Sequence, residues 1–273
     1  MEQMTTKQGT LFGVGTGPGD PLLVTRRAWS LIESAAVVAY PAPDHGESFA
    51  RSIVADAIRP DAVEIAMVVP MRTGRAPAQE IYNKAAADIA GHLADGRDVV
   101  LLCEGDPLFY GSFMYLMVRL RDRFDVEIVP GVNSLSACAA AQVHPLVARS
   151  DRLTILPGPL DDDTLAANVA NAEAVAIMKV GRHLPRIRAL LTRLGLLDRA
   201  LYTSHASLPQ QQALALADAF VITGDTDDVV KIIVGVGALA VSALLLLSGG
   251  LSMPSMPSMK KEEPEEPEPE PKF

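Results

Sequence analysis

The feature of this sequence that most constrains its fold is an alternation of short β-rich runs with longer helical stretches between about residues 10 and 220. Strands separated by helices pair in parallel, because each helix carries the chain back across a face of the sheet. The sequence therefore predicts an α/β fold with mainly parallel sheets and helices on their faces. A chain of 273 residues is long enough for two such units, each with its own core.

The individual elements are predicted from apolar runs and helix-capping residues. Strands are predicted at Thr10–Gly15, Ala36–Tyr40, Val63–Val69, Asp98–Cys103, Val126–Val129, Arg152–Leu156 and Ala174–Val180. Helices are predicted at Pro21–Ser34, Ala78–Ala94, Ser112–Arg121, Ser134–Gln142 and Leu184–Leu194. The first helix has Asp20 as its predicted N-cap and Pro21 at its first position, where a missing N–H group costs nothing.

The domain division follows a break in this pattern at residues 148–151, after which the alternation of strand and helix begins again. We predict a flexible N-terminus at 1–9, an N-terminal lobe at 10–148 and a C-terminal lobe at 149–220, with a ligand cleft between the lobes. The first residues are polar and contain no apolar segment. We therefore expect no secretory signal and a cytoplasmic location for the folded part.

The C-terminal part of the chain differs in composition. After a predicted linker at 221–231, residues 232–251 carry no charge, and a helix of that length, at about 1.5 Å per residue, reaches about 30 Å, enough to cross a bilayer core. We predict a candidate transmembrane helix there, with membrane anchoring, while a buried strand plus a core helix of the domain is the alternative. Residues 252–273 are rich in Pro and Glu and are predicted to form a disordered tail.

Charge and composition exclude several classes of function. Lys plus Arg number 24 against 33 Asp plus Glu, a formal net charge of −9, which argues against a nucleic-acid partner. Cys103 and Cys138 stand alone, so neither a disulfide framework nor a zinc site is predicted. The histidines show no metal-ligand spacing, and no nucleophile elbow is present, so we expect neither a metal nor a hydrolytic triad.

Three motifs directly follow predicted strands and are rich in glycine or polar residues. They are Gly13–Asp20 (GVGTGPGD), Cys103–Gly111 (CEGDPLFYG) and Pro130–Ser134 (PGVNS). Because the carboxyl ends of parallel strands meet at one edge of a sheet, the motifs predict a ligand site there. Tight turns and helix caps are the alternative interpretation of each. Pro18 stands where a dinucleotide-binding loop has its third glycine, which disfavours a nicotinamide cofactor.

Together with Ile177–Pro185 (IMKVGRHLP), these motifs resemble the tetrapyrrole methylases of cobalamin biosynthesis, and the resemblance runs from about Thr10 to Leu216. The second and fourth motifs, with Ala39-Tyr40-Pro41, are most similar to the members that methylate carbon 20 of precorrin-2. The resemblance implies a two-lobed homodimer that binds S-adenosylmethionine between its lobes, largely through backbone groups, and takes a tetrapyrrole substrate. It places these residues in the cofactor pocket: Pro18, Glu104, Gly105, Asp106, Phe109, Asn133, Ser134, Met178, His205 and Ala206.

The resemblance does not identify a catalytic base. Pro41 stands where related members have an aspartate, so no base is carried over. The candidates for assisting proton loss from the macrocycle are Tyr40, Glu104 and Tyr110. The substrate carboxylates need cationic partners, for which the candidates are Arg72, Arg75 and Arg149, all in predicted loops.

The sequence departs from the family after Ala206–Gln211 (ASLPQQ), where members have a short apolar closing strand. Either Phe220-Val221-Ile222 replaces that strand, or the second sheet lacks an edge and the C-terminal lobe is incomplete. Two alternatives to a carbon-20 methyltransferase therefore remain. One is a membrane-tethered module that binds cofactor or tetrapyrrole without turnover, and the other is a sister enzyme that methylates a different carbon.

Overall fold

The computed structural model describes residues 7–68, 75–219 and 230–235, and for residues 75–78 and 230–235 it describes the backbone alone. Within the unit Met1–Gly237, these residues form two five-stranded sheets with helices packed against them. The α/β class predicted from the sequence is confirmed.

The first sheet is parallel throughout and has the order β3-β2-β4-β1-β5. Its strands are β1 (Leu11–Gly15), β2 (Val37–Ala42), β3 (Val63–Val68), β4 (Val99–Cys103) and β5 (Val126–Val129). The helices of this region are α1 (Arg26–Ser34), α2 (Phe49–Ile53), α3 (Arg75–Ala94) and α4 (Phe113–Leu120). The predicted positions of all five strands are confirmed to within two residues at each end.

Strand β4 shows why this sheet has such apolar strands. Leu101 and Cys103 face the cluster formed with α3 and α4, whereas Val100 and Leu102 face the cluster formed with α1 and α2. A strand covered by helices on both faces is apolar at every position rather than at alternate ones. Burial of each large aliphatic side chain contributes about 1.5–3 kcal/mol, so the centre of the sheet is its most stable part.

The second sheet is mixed and has the order β6-β7-β10-β8-β9. Its strands are β6 (Leu153–Pro157), β7 (Ala174–Met178), β8 (Ala200–Ser204), β9 (Gln212–Ala215) and β10 (Val230–Gly235), and its helices are α5 (Ser134–Gln142), α6 (Asp162–Ala170) and α7 (Leu184–Arg193). Only β6 and β7 pair in parallel; the other neighbours are antiparallel. The prediction of mainly parallel sheets is therefore right for the first sheet and wrong for the second.

Strand β10 corrects three predictions about the C-terminal part. Ile232 pairs with Ile177 of β7 on one side and with Tyr202 of β8 on the other. The C-terminal lobe thus does not end at 220, the predicted linker 221–231 ends inside a strand, and residues 232–235 are strand instead of the start of a transmembrane helix. Strand β10 thus closes the second sheet, in its interior and not at its edge. Its pairing on both sides satisfies its backbone hydrogen-bonding groups.

Other parts of the C-terminal predictions lie outside the described residues. These are the proposed replacement strand at 220–222, the rest of the candidate span at 236–251 and the Pro/Glu-rich tail at 252–273. Among the residues that the structure does describe, no helix is both long and apolar enough to cross a membrane.

Two further differences concern helices. The predicted helix Pro21–Ser34 is divided: Asp20 caps a short 3₁₀ turn at Pro21–Leu23, and α1 begins only after Thr25, whose hydroxyl accepts a hydrogen bond from the N–H of Ala28. Helix α5 precedes the predicted lobe boundary at 148 but packs on the second sheet, where the Gln142 amide donates to the carbonyl of Tyr202 at 2.6 Å. The chain therefore crosses between the sheets after β5.

Candidate functional site

The loops that follow β1 and β4 are joined by backbone hydrogen bonds. The N–H of Gly105 donates to the carbonyl of Gly17 at 2.8 Å, and the N–H of Gly17 donates to the carbonyl of Gly105 at 3.3 Å. Thr16 is fully buried, and its N–H donates to the carbonyl of Cys103 at 2.8 Å. Two sequence-predicted ligand loops therefore form one continuous edge.

Asp106 connects this edge to the loop after β5. One carboxylate oxygen accepts the N–H of Leu108 at 2.9 Å, within its own loop, and the other accepts the N–H of Gly131 at 3.1 Å. Both oxygens are thus used by backbone donors from two loops. Hydrogen bonds to a charged acceptor are stronger than neutral ones, so this carboxylate fixes the spacing between the loops.

The three strand ends approach so closely that side chains would not fit there. A Cβ atom on Gly15 would lie 2.5 Å from the carbonyl oxygen of Gly105 and 2.6 Å from the nitrogen of Gly131. A Cβ atom on Gly131 would overlap the same carbonyl oxygen and lie 2.9 Å from the Cα of Gly15. Gly105 itself has φ +62°, in the region that favours glycine. Backbone contact, not side-chain packing, builds this part of the site.

The loop after β8 contacts the loop after β1. The N–H of Asp20 donates to the hydroxyl of Ser207 at 3.0 Å, and a Cβ atom on Gly19 would lie 2.7 Å from the side chain of Leu208. Ala206, in the same loop, is buried with Cys138 of α5. This contact brings the second sheet's loops to the carboxyl edge of the first sheet.

An apolar contact links the loop after β4 to the end of β7. Phe109 packs against the cluster that contains Leu135 of α5 and Met178, which is 4% exposed. The preceding residue of α5, Ser134, is half-buried, and Asn133 caps the helix by accepting the N–H of Ser136 at 3.0 Å. Apolar side chains therefore lie directly beside the polar loops.

The structure thus brings together most of the residues that the resemblance placed in the cofactor pocket. Contacts between the loops of β1, β4, β5, β7 and β8 include Gly105, Asp106, Phe109, Met178 and Ala206, or their immediate neighbours. Pro18 lies half-buried in the loop after β1, and Glu104 is exposed at the end of β4. His205 follows β8 with a left-handed backbone, φ 50°.

Tyr40, a candidate for proton transfer, is buried in the core of the first lobe. Its side chain is 9% exposed and packs in the core cluster below α1 and α2, with the guanidinium of Arg51 5.9 Å from its ring centroid. Arg51 forms a two-point ion pair with Glu64, with N–O distances of 2.5 and 2.9 Å. Burial, followed by the hydrogen bond to Glu64, raises the pKa of Tyr40, so this phenol keeps its proton.

Of the three candidate partners for substrate carboxylates, the structure describes the side chain of Arg149 alone. Arg149 is exposed and has a left-handed backbone, φ 50°. Arg72 lies outside the described residues, as does the side chain of Arg75. The motif Ile177–Pro185 includes the turn after β7, but the sequence analysis did not single out Lys179 within it, although its basic side chain was the available signal.

Comparison with known proteins gives one family match and several relatives. A family model described as Tetrapyrrole (Corrin/Porphyrin) Methylases matches residues 10–219. A precorrin-2 C(20)-methyltransferase from Sinorhizobium sp is 42% identical over 218 residues, covering 77% of this chain and 89% of that protein. The cobalamin biosynthesis protein CobIJ from Mycobacterium tuberculosis is 46% identical over 219 residues, covering 77% of this chain and 43% of that protein. The match therefore spans less than half of the mycobacterial protein.

A solved structure shows the same fold at lower sequence identity. The uroporphyrin-III C-methyl transferase from Thermus thermophilus, complexed with S-adenyl homocysteine, has a TM-score of 0.59 and 23% identity to this chain. The match covers 84% of this chain and 98% of that one.

Proposed function

Because the chain belongs to the tetrapyrrole (corrin/porphyrin) methylases, we propose that it transfers a methyl group from S-adenosylmethionine to carbon 20 of precorrin-2, in cobalamin biosynthesis. The observation that carries this proposal is the likeness to the Sinorhizobium precorrin-2 C(20)-methyltransferase, which extends over almost the whole of that protein. The family match, at residues 10–219, includes the loops after β1, β4, β5, β7 and β8.

The described residues fit this methyl donor in chemistry. Pro18, Gly105 and Ala206 have small apolar side chains or none, which suits contact with a flat purine. Phe109 and Met178 offer an apolar and polarisable surface. The proposed cofactor-binding set is the one that the resemblance gave: Pro18, Glu104, Gly105, Asp106, Phe109, Asn133, Ser134, Met178, His205 and Ala206. When bound, S-adenosylmethionine supplies an electrophilic methyl group on a sulfonium.

The residues of the site contribute mainly by holding the methyl donor and the substrate in the right relative position. Hydrogen bonds between Gly17, Gly105, Asp106 and Gly131 fix the loops before any ligand arrives, so less conformational freedom is lost on binding. Holding two reactants in the right geometry contributes up to about 7–11 kcal/mol to a reaction of this kind. The electron-rich macrocycle is its own nucleophile, so no strong base is required before methyl transfer.

The proton that leaves the methylated carbon requires an acceptor later. Asp106 is engaged by two backbone donors, and Tyr40 retains its proton, so neither is well placed for this task. Glu104 and Tyr110, both exposed on the loop after β4, remain the candidates that we propose. The alternative of binding without turnover rested on a missing closing strand, and β10 removes that reason.

Incubation of the purified full chain with methyl-labelled S-adenosylmethionine and precorrin-2 tests the proposed function. We expect a labelled trimethylated product, with the label at carbon 20 by carbon-13 NMR. A labelled product at another carbon would indicate a sister enzyme, and binding of both ligands without product would indicate a binding module. Either result would contradict the proposal.

We also propose a homodimer, as the family resemblance implies, and a cytoplasmic location for the catalytic unit. Light scattering coupled to size exclusion measures the oligomeric state, and a monomeric mass would contradict the first point. Membrane anchoring stays a prediction for residues 236–251 alone, since 232–235 form a strand. Release of the expressed full chain into the supernatant on carbonate extraction would contradict that prediction.

A further inference from the structure

A lysine and a tyrosine from different lobes meet at the candidate site. Tyr110 follows β4, and Lys179 follows β7. The Lys179 ammonium lies 5.4 Å from the centroid of the Tyr110 ring, and Phe109 packs edge-on against the same ring at 5.3 Å between centroids. Tyr110 is 40% exposed and Lys179 is exposed, so the contact lies where a ligand can reach it. A cation over an aromatic face is attracted by the ring and is held in a preferred position.

Both residues have left-handed backbone conformations, which residues other than glycine rarely adopt. The φ of Tyr110 is 56° and that of Lys179 is 57°. The other described residues with this conformation, apart from glycine, are Val143, Arg149, His205 and Ser207, and the last two lie in the loop after β8. Such conformations cost free energy and persist only where the surroundings fix them, and they concentrate at ligand sites.

The surroundings of Lys179 do fix it. The N–H of Gly158 donates to the carbonyl of Met178 at 2.6 Å, and a Cβ atom on Gly158 would lie 2.8 Å from the carbonyl oxygen of Lys179. Glycine is therefore required at the end of β6 for the backbone of Lys179 to lie where it does. The backbone of Lys179 is thus fixed by its contact with Gly158, and its ammonium is held by the ring of Tyr110.

Lys179 forms no ion pair within the described part of the chain. In contrast, Arg152 pairs with Glu173, and Arg186 pairs with Asp162. The exposed Arg182 follows on the same turn, and burial together with Arg186 and Arg182 lowers the pKa of His183. The turn after β7 is thus locally positive in a chain with a formal net charge of −9.

We propose that Lys179, held in place by Tyr110, binds a carboxylate of the tetrapyrrole substrate. The inference rests on the proposed function, because precorrin-2 carries acetate and propionate side chains that require cationic partners. A preorganised ammonium pairs with a carboxylate at little entropic cost. Lys179 is therefore a specificity residue for the macrocycle and takes no part in methyl transfer itself. It takes the place of the arginines suggested by the sequence alone.

Equilibrium titration of precorrin-2 in the presence of S-adenosylhomocysteine tests the proposal without turnover. Lys179→Asn removes the charge and keeps a residue that tolerates a left-handed backbone, and Lys179→Arg retains the charge. Lys84→Gln, on the exposed face of α3, is the control for loss of a lysine elsewhere. We expect Lys179→Asn to raise the Kd for precorrin-2 about tenfold or more, Lys179→Arg to stay within about threefold, and Lys84→Gln to match the wild type.

The Kd for S-adenosylhomocysteine, measured by calorimetry, separates carboxylate binding from a structural tie between the lobes. We expect Lys179→Asn to leave it unchanged, and we expect added salt to weaken precorrin-2 binding more in the wild type than in this variant. Equal losses of affinity for both ligands, or no loss for precorrin-2, would overturn the proposal. Failure of the wild type to methylate precorrin-2, with binding still dependent on Lys179, would overturn the proposed function alone.

Discussion

The two halves of the candidate site are built by different means. In the first lobe, strand ends touch backbone to backbone at Gly15, Gly105 and Gly131, with no side chain between them. The second lobe contributes the side chains of Lys179 and His205 from left-handed backbone positions, a conformation shared in the first lobe by Tyr110. Glycine contacts tolerate no added atom, whereas side-chain contacts can be exchanged. The comparison therefore predicts that the first half sets the geometry of the site and the second half sets what it selects.

The two sheets also differ in which parts of the chain supply their strands. All neighbours in the first sheet come from within residues 11–129 and pair in parallel, so this sheet needs no strand from the later part of the chain. The second sheet depends on β10, which pairs between β7 and β8 although it follows all the other described strands along the chain. Removal of one segment should therefore affect the two sheets very unequally.

The largest expected effect tests this dependence with two shortened chains. A chain ending at residue 229 lacks β10 and leaves β7 and β8 with unpaired backbone groups in the sheet interior. We expect its thermal midpoint to fall by about 10 °C or more relative to a chain ending at residue 237. Differential scanning calorimetry measures both, and similar midpoints would show that the second sheet does not need β10.

The second prediction concerns the glycine contact in the first lobe. Gly131→Ala places a Cβ atom against Gly105 and Gly15, so the loops must separate, at a cost of about 1–3 kcal/mol. We expect at least a tenfold rise in the Kd for S-adenosylhomocysteine by calorimetry, together with a lowered thermal midpoint. Gly91→Ala in α3 is the matched control, since no atom lies within 4 Å of its added Cβ and alanine favours helix. Equal behaviour of the two variants would contradict the interpretation.

The third prediction concerns the carboxylate that connects two loops. Asp106→Asn replaces one acceptor oxygen with an amide group that faces a backbone N–H, which costs about 1–3 kcal/mol. We expect the Kd for S-adenosylhomocysteine to rise about tenfold. Asp161→Asn is the control: Asp161 also accepts a backbone N–H, from Thr164 at 2.8 Å, but asparagine is an equally good helix N-cap. An unchanged Kd in Asp106→Asn would show that the loops hold their spacing without the carboxylate.

The smallest effect is expected for Tyr40→Phe. The raised pKa of Tyr40 keeps the phenol protonated up to its ordinary value of 10 and beyond, so it offers no base in the working range. We expect kcat within about twofold of the wild type and an unchanged pH–rate profile below pH 10. Loss of the basic limb of that profile in the variant would restore Tyr40 as a candidate for proton transfer.

The surroundings of Tyr40 also predict a pH dependence of stability. The hydrogen bond from Arg51 lowers the pKa of Glu64, so its contribution to stability is present above the ordinary value of 4.5 and is lost as pH falls below it. The neutral phenol of Tyr40 contributes below pH 10, and this is lost as pH rises through its raised pKa. Urea unfolding of wild type and Glu64→Gln should show a larger difference in the free energy of unfolding at pH 7 than at pH 3.

Much of the first lobe was predictable because its signals are local. Strands β1, β4 and β5 are short runs rich in apolar residues, and each is followed by a motif that contains glycine. Because the carboxyl ends of parallel strands meet at one edge of a sheet, these motifs could be predicted to lie together. The helix at Pro21–Ser34 was mispredicted because two N-caps, Asp20 and Thr25, compete, and the 3₁₀ turn at the first ends before α1 begins. The strands β8 and β9 were missed because they are short and contain polar residues, and β10 was missed because its apolar run also fits a helix.

The α/β class, the order of the ligand loops and the family could all be inferred from the amino-acid sequence, since they depend on local composition and on motif spacing. That residues 230–235 form a strand between two others became clear from the three-dimensional structure alone, because length and hydropathy cannot distinguish such a segment from the start of a helix. Likewise, the ring of Tyr110 and the ammonium of Lys179 meet only once the lobes pack together.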